Sequence, residues 1–536
     1  MHTTGFLDFA DVDQQSAVLK VIEVMIMFRK ISFVVVMLSC IQFGDFANAQ
    51  SSQFMRGDHN QDRAVNIGDA VGILGFLFSG GSAPICEDAS DINDDGSINI
   101  GDAVSLLGFL FSGGVAPAEP FLTWEADPTS DALGCKTVST IGGDITADIV
   151  LTNDTTWLLQ PTFIKDGVTM TIQAGTTIVG DNATQGFLAI ERGGVLNAIG
   201  TENAPIVFTS GSDRGTRSAG DWGGIIVIGN GANNIPGGTS LVEGLQNTTY
   251  GSANPVADEN SGTMSYVRCE FGGTEISPNN EINSITLASC GSGTNYDHVM
   301  CKSNLDDGFE WFGGGANLEF GICYGVDDDD FDGSFGWNGN VQNIVGIKNN
   351  FLDGANDRGF EFDGSELNFT DTPFTNATIN NFTVIGEDTQ GAQGADAGAV
   401  IRRGCQGTWT NGIVEGWADA GWDIDDAATT TNGVVTCDGI TFANNNEDFE
   451  TGDDESEASG YAYTTGELLQ TTFTNNQFAG ATSVLLSLDP SSDDFCRPDL
   501  SVVSGGINGT AYRGGVDPNA GSANWLRSMW VSWDDN

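Results

Sequence analysis

The sequence predicts a mostly β protein, a right-handed parallel β-helix (a solenoid) preceded by a small α-helical domain. Three observations carry this. A twelve-residue acidic stretch with an apolar tail occurs twice, 33 residues apart. In the second half, runs of Thr–apolar–x–Asn recur at offsets of 30, 33 and 31 residues. Aromatic–acid pairs recur beside them, and self-similarity at a fixed period marks stacked structural units. The expected order is an extension and export signal (1–49), the two-loop domain (50–114), a linker (115–140) and the β-helix with a C-terminal cap (141–536).

The N-terminal segment supplies an address. From Met27, Arg29 and Lys30 precede an apolar run from Ile31 to Ile41, and Ala47-Asn48-Ala49 ends it before Gln50. A short basic region, an apolar core and a small-x-small site make a secretory signal peptide cleaved after Ala49. Residues 1–26 read as lying upstream of the working start. The apolar core is too short for a membrane span, and the mature protein is expected without one, secreted or held at the cell surface. Of ten cysteines, Cys40 leaves with the signal. The nine that remain leave at least one free thiol, and export permits disulfides whose connectivity the spacing does not fix.

The duplicated stretches are "DHNQDRAVNIGD" (58–69) and "DINDDGSINIGD" (91–102). The second places Asp91, Asn93, Asp95, Asn99 and Asp102 at positions 1, 3, 5, 9 and 12, with Gly96 at position 6 and the Ser97 carbonyl at position 7. The first places Asp58, Asn60, Asp62, Asn66 and Asp69, with Ala64 at position 7 and Arg63 where a glycine would ease the turn. This is the spacing of an EF-hand-type calcium loop, because calcium takes six to eight hard oxygens that a tight loop offers only at such offsets. With 73 acidic residues against 19 basic ones, a net charge of −54 excludes a general nucleic-acid binder and favours cations.

With Asp at position 12 and one helix after each loop, residues 57–114 resemble a type I dockerin module. The resemblance implies calcium binding and docking onto a cohesin-like partner. It departs where the partner is read: positions 10 and 11 are Ile67-Gly68 and Ile100-Gly101, and apolar "ILGFLF" and "LLGFLF" stand where basic residues are usual. Calcium carries over better than cohesin binding, and the apolar helix faces suit an intramolecular docking partner as well.

Beyond the linker, short β-type runs such as "VTMTIQAGTTIVG" (168–180) and "APIVFTS" (204–210) follow one another with turns between them. The asparagine series is "TINNF", "TWTNG", "TFANN" and "TFTNN", with Asn350 one step upstream of Asn381. Asparagine tolerates the left-handed conformation that tight corners need. Phe309-Glu310, Phe331-Asp332, Phe360-Glu361, Trp422-Asp423 and Phe449-Glu450 form the second series, with Ile401-Arg402 on the rung between the third and fourth. Strand alternation then gives an aromatic interior and an exterior row of carboxylates, on coils of roughly 22–31 residues. Cys301 should stack on Cys323, and Cys269 on Cys290, as small apolar side chains.

"AIERGGVLNAIGTENAPIVFTS", "GDWGGIIVIGN", "DDGFEWFGG" and "AYRGGVDPNAGSANWLRSMW" resemble a family of bacterial secreted β-helix surface proteins over most of 165–536. The resemblance implies the fold and the address, and no activity. Two functional classes stay open. One is a non-catalytic calcium-binding surface or matrix protein presenting an acidic face to glycans, cations or envelope partners. The other is a polysaccharide lyase or glycoside hydrolase, with Asp306, Asp307, Asp328, Asp329, Asp332 and Arg402 or Arg403 supplying metal ligands and base. His59 and His298 read as structural.

Overall fold

The computed structural model describes residues 54–533, except 61–63, 79–83, 349–357, 387–396, 426–428, 430–434, 451–472 and some shorter gaps. The expected signal peptide, Asp62, Arg63 and Asn350 lie outside the described residues. Each acidic loop runs into a helix, α1 (Ile67–Phe78) and α3 (Ile100–Ser112), with a single turn α2 (Glu87–Ser90) between them. Asn99 caps α3: its side chain accepts from the Gly101 N–H while Asp102 accepts from the Asn99 N–H. Gly113, at φ 65°, ends the helix in the left-handed conformation. Ala70, Ile73, Ala103 and Leu106 recur at helical spacing and bury against each other and Ile92.

From Thr137 onward, parallel strands stack into a solenoid. One column contains the long strands Gly262–Glu270, Asn295–Lys302, Asn317–Tyr324, Asn340–Ile347, Asn376–Ile385 and Gln406–Glu415. A second contains Ile225–Ile228, Ile285–Ala288, Phe309–Phe312, Phe331–Ser334, Phe360–Asp363, Val400–Arg402 and Asp423–Ile424. Inside, rings stack coil upon coil: Phe309 on Phe331 at 5.9 Å and Trp311 on Trp337 at 4.4 Å. Such offset ring pairs contribute about 0.5–1.5 kcal/mol each beyond area burial.

The long strands bend at one position per coil. Tyr266, His298, Phe320, Asn343, Asn381 and Asn411 all have φ between 51° and 57° and occupy equivalent register positions. His298 stacks between Tyr266 and Phe320, 4.4 Å from each. Its role here is packing at the bend.

Several details of the expected register are corrected. The residue stacked on Asn381 is Asn343. Asn444 belongs to a second bend, beyond the Glu415–Ala443 pair, while Asn475 follows the Asp438–Thr474 pair at the first. Spacing counts residues and cannot tell which of two corners an inserted loop has shifted. Cys269 pairs with Cys301, which pairs with Cys323; Cys290 lies apart with its thiol on the Val227 carbonyl. Coil steps range from the 18 residues between Thr137 and Thr155 to the 66 between Leu196 and Gly262, outside both expected bounds. Among the described residues one disulfide forms, Cys86–Cys135, and the other seven cysteines are buried thiols.

Both outer faces are covered. The C-terminal segment returns along the solenoid and packs Val484, Phe495, Val516, Leu526 and Trp530 onto Met300, Ile322, Val345 and Ile413. On the other column, an antiparallel hairpin (Thr239–Leu241 with Thr249–Gly251) puts Val242, Leu245 and Tyr250 over Ile226, Ile228, Ala288 and Phe312.

Candidate functional site

In the second loop, the Asp91 carboxylate accepts from the Asp95 N–H at 3.2 Å and the Gly96 N–H at 2.7 Å. Asp102 accepts from Ile92 at 2.9 Å and Asn99 at 2.8 Å, drawing position 12 back under position 1. Asn93 Oδ1 accepts from the Asp95 N–H, and Asn99 Nδ2 donates to the Ser97 carbonyl. The first loop repeats the pattern: Asp69 accepts from Asn60 and Asn66, and Asn66 Nδ2 donates to the Ala64 carbonyl. Asp58, Asp69, Asp91 and Asp102 are all buried. Hard, mostly anionic oxygens held by backbone donors are a donor set that fits calcium.

The linker adds what spacing did not foresee. Asp131 offers an oxygen within 4.8 Å of Asp91 and Asp94. Fully buried Arg56 pairs with Asp94 at 2.9 Å and Asp127 at 3.0 Å, and donates to the Asp88 and Asp91 carbonyls. Burial, then Asp127 and Asp131, push the Asp88 carboxyl up to about 6. The segment 115–140 thus folds back onto the second loop, fastened by the Cys86–Cys135 bond.

The acidic row on the short-strand column is real in register and wrong in exposure. Glu310 pairs with Asp332, and Asp332 with Glu361. Yet Asp307, Glu310 and Asp329 are buried, because the row lies in a protein cleft rather than on an open surface. Asp307, Glu310 and Asp332 bring oxygens within 4.8 Å of one another, as do Asp306, Asp307 and Asp328. Burial, then neighbouring carboxylates, hold Asp306, Asp307, Glu310 and Asp332 well above the usual carboxylate range. Backbone and amide donors answer part of this charge: Asp307 accepts from the Asp329 N–H, Asp329 from the Arg358 N–H, and Glu310 from Asn283.

Arg402 does not share a rung with Glu361; the register sets it beside Asp363, two residues further on the same face. Its Nε donates to Asp363 at 2.8 Å, and it also pairs with Glu361. Arg403 reaches the other Asp363 oxygen at 2.6 Å, and Arg358 pairs with Glu361. The arginines therefore neutralise one end of the row, and the cluster at Asp306–Asp332 forms the other.

Beside that acidic end lies a cavity of about 330 Å³ under the hairpin, lined by Ser240, Leu241, Val242, Glu243, Leu245, Tyr250, Phe312 and Phe335. Tyr250 stacks on Phe312 at 5.7 Å. Burial, then Glu281 and Glu366, push Glu243 up to about 7, and Glu243 in turn raises Glu310 and Asp306. Sequence reasoning missed this wall: Glu243 follows one strand of the hairpin and Tyr250 sits on the other, and three-residue strands are too short to give a periodic signal.

Within this long parallel solenoid, residues 143–485 match the pectate-lyase like beta helix domain. The chain belongs to this family. No curated protein matches this member of the pectate-lyase like beta helix family. Among solved structures it is similar to the Dettilon tailspike protein gp208, at 9% identity and a TM-score of 0.22, over 73% of this chain and 64% of that one. The chain thus spans less than two thirds of the tailspike's length. Among the described residues, no helix is long and apolar enough to cross a membrane.

Proposed function

We propose that this protein is an exported, calcium-binding surface or matrix protein whose β-helix binds a polysaccharide without cleaving it. The observation that carries the reading is the aromatic-walled cavity beside a buried carboxylate cluster. The partly buried Phe335 offers an apolar face that a sugar ring can lie against, backed by the buried, stacked pair Tyr250 and Phe312, and carboxyl groups supply directed hydrogen bonds. Calcium would be held by Asp58, Asn60, Asp62, the Ala64 carbonyl, Asn66 and Asp69 in one loop. The other would use Asp91, Asn93, Asp95, the Ser97 carbonyl, Asn99 and Asp102. A further cation at Asp307, Glu310 and Asp332 would relieve their mutual repulsion. Export rests on the N-terminal signal read from the sequence, and the dockerin-like character of 57–114 on its loops.

Geometry favours binding over the two catalytic alternatives. A retaining glycosidase separates its two carboxyl groups by roughly 5–5.5 Å and an inverting one by roughly 6.5–9.5 Å, leaving room for the sugar or water. Here oxygens of three carboxyl groups crowd within 4.8 Å. A lyase base must reach the α-proton uncommitted, whereas Arg402 and Arg403 are engaged by Glu361, Asp363 and Glu366. The test is calorimetric titration of the full chain with polyuronates and neutral glycans, with calcium and with chelator, followed by assay for unsaturated products and new reducing ends. Saturable binding without products supports the proposal. Either product class, growing with time and lost in Asp332→Asn, overturns it in favour of an enzyme.

A further inference from the structure

The two helices of the calcium-loop domain bury one face against each other and leave a second face open. Ile67, Val71 and Phe78 on α1 are 54%, 60% and 67% exposed; their duplicates on α3, Ile100, Val104 and Phe111, are 55%, 60% and 66% exposed. The duplication thus repeats the exposed stripe as faithfully as it repeats the calcium ligands. Leu74 and Leu107 lie within these stripes and also pack into the shared core, so the stripes meet along the helix seam as one surface. Six large residues, each more than half exposed, put on the order of 600–800 Å² of apolar area there, above the ~300–600 Å² of a typical monomer's largest patch. That area is close to the ~800 Å² each partner gives a stable interface.

Two further features show what can cover it. Gly75 and Gly108 sit one turn beyond Val71 and Val104, and an added Cβ at either would meet nothing within 4 Å. Glycine inside a helix costs about 1 kcal/mol relative to alanine, and here it leaves open backbone against which another helix can pack closely. The only ionisable residues on α1 and α3 are Asp69 and Asp102, both fully buried in the loops. On a chain of net charge −54, this face is an uncharged island. Among the described residues, α1 and α3 carry no basic side chain to draw an acidic protein or an anionic membrane. A second copy meets it with an equally neutral face, and an internally duplicated surface can be apposed to itself about a two-fold axis.

We propose that this face is a homodimer interface, in which α1 and α3 of two copies form a four-helix bundle. The rest of each chain repels its partner, so association should tighten as salt screens that repulsion. The test is analytical ultracentrifugation of the full chain with calcium across micromolar concentrations, at low and high salt. The wild type should sediment as a reversible monomer–dimer system, tighter at high salt. Val71→Glu with Val104→Glu, and Val71→Lys with Val104→Lys, should each weaken dimerisation at least roughly tenfold with unchanged circular dichroism. An equal mixture of the two variants should recover a dimer. Val138→Glu, at a solvent-exposed site on the solenoid, should have no effect. A wild type that stays monomeric throughout, or a dimer that survives in both charged variants, overturns the proposal.

Discussion

At the scale of single residues, the molecule stores charge in places that resist it. Glu243 and Asp330 are both pushed up to about 7, chiefly by burial, and Asp306, Asp307, Glu310 and Asp332 lie well above their usual range. The sign of the consequence follows from linkage. These folded-state carboxyls keep protons that the unfolded chain releases near pH 4, so their contribution to stability is full below that pH. For Glu243 and Asp330 it is lost as pH rises from about 4 through about 7. In chelator, the melting temperature should therefore be lower at pH 8 than at pH 5. Glu243→Gln, which cannot ionise, should reduce that drop by the equivalent of roughly 1–3 kcal/mol. A drop of unchanged size in the variant would show that Glu243 does not titrate in this window. Glu270 shows the opposite balance: burial would raise it, but Arg268, Lys302 and Arg217 more than offset that and lower it. Its neighbourhood should gain no stability from acid.

Among elements, the duplicated acidic loops and the bend ladder make separate predictions. The second loop has Gly96 at φ 78°, where a side chain would be strained, while the first has Arg63 in the sequence at that position. Calcium titration of the full chain should resolve two loop sites of unequal affinity, the tighter one lost in Asp91→Ala. Equal affinities in the wild type would contradict the role given to glycine. At the bend, Asn411 accepts from the Ile507 N–H at 2.7 Å and donates to Asn380, and Asn381 donates to the Tyr512 and Gly514 carbonyls. The ladder thus holds the returning C-terminal segment. Asn411→Gly keeps the left-handed conformation and removes the hydrogen bonds; Asn411→Ala loses both. Alanine should cost about 1–2 kcal/mol more than glycine by chemical denaturation. Equal losses would mean that conformation contributes nothing there.

Legibility divided along the same line. Local repetition exposed the loops, their helices, the inward aromatics and the outward acids, because ligand spacing and strand alternation are written within a few residues. Cys301 on Cys323 was readable from spacing alone; Cys269 on Cys301 was not, since the intervening coil is longer. Arg402 fell on the correct face and two residues out of register for the same reason. The burial of the acidic row could not be read at all. It depends on a hairpin brought onto this column from a distant point of the chain, which sets Glu243 beside Glu310 and Asp306.

For the whole molecule, the parts form one sequence of dependence. Arg56, Asp127 and the Cys86–Cys135 bond tie the acidic-loop domain to the linker that leads into the first coil. The C-terminal return covers the long-strand column, and the hairpin closes the short-strand column over its carboxylates. Removing calcium should lower the melting temperature of the full chain at constant ionic strength. If the carboxylate row holds a cation, part of that loss should disappear in Asp332→Asn, while identical melts with calcium and chelator would exclude metal from both places. The central claim, that the cleft beside the hairpin binds polysaccharide, is tested most directly by affinity electrophoresis through gels containing the polysaccharide that calorimetry selects. The full chain should be retarded, with Tyr250→Ala and Phe335→Ala migrating freely and Val138→Ala still retarded. Equal retardation of all four proteins would contradict the assignment of the cleft.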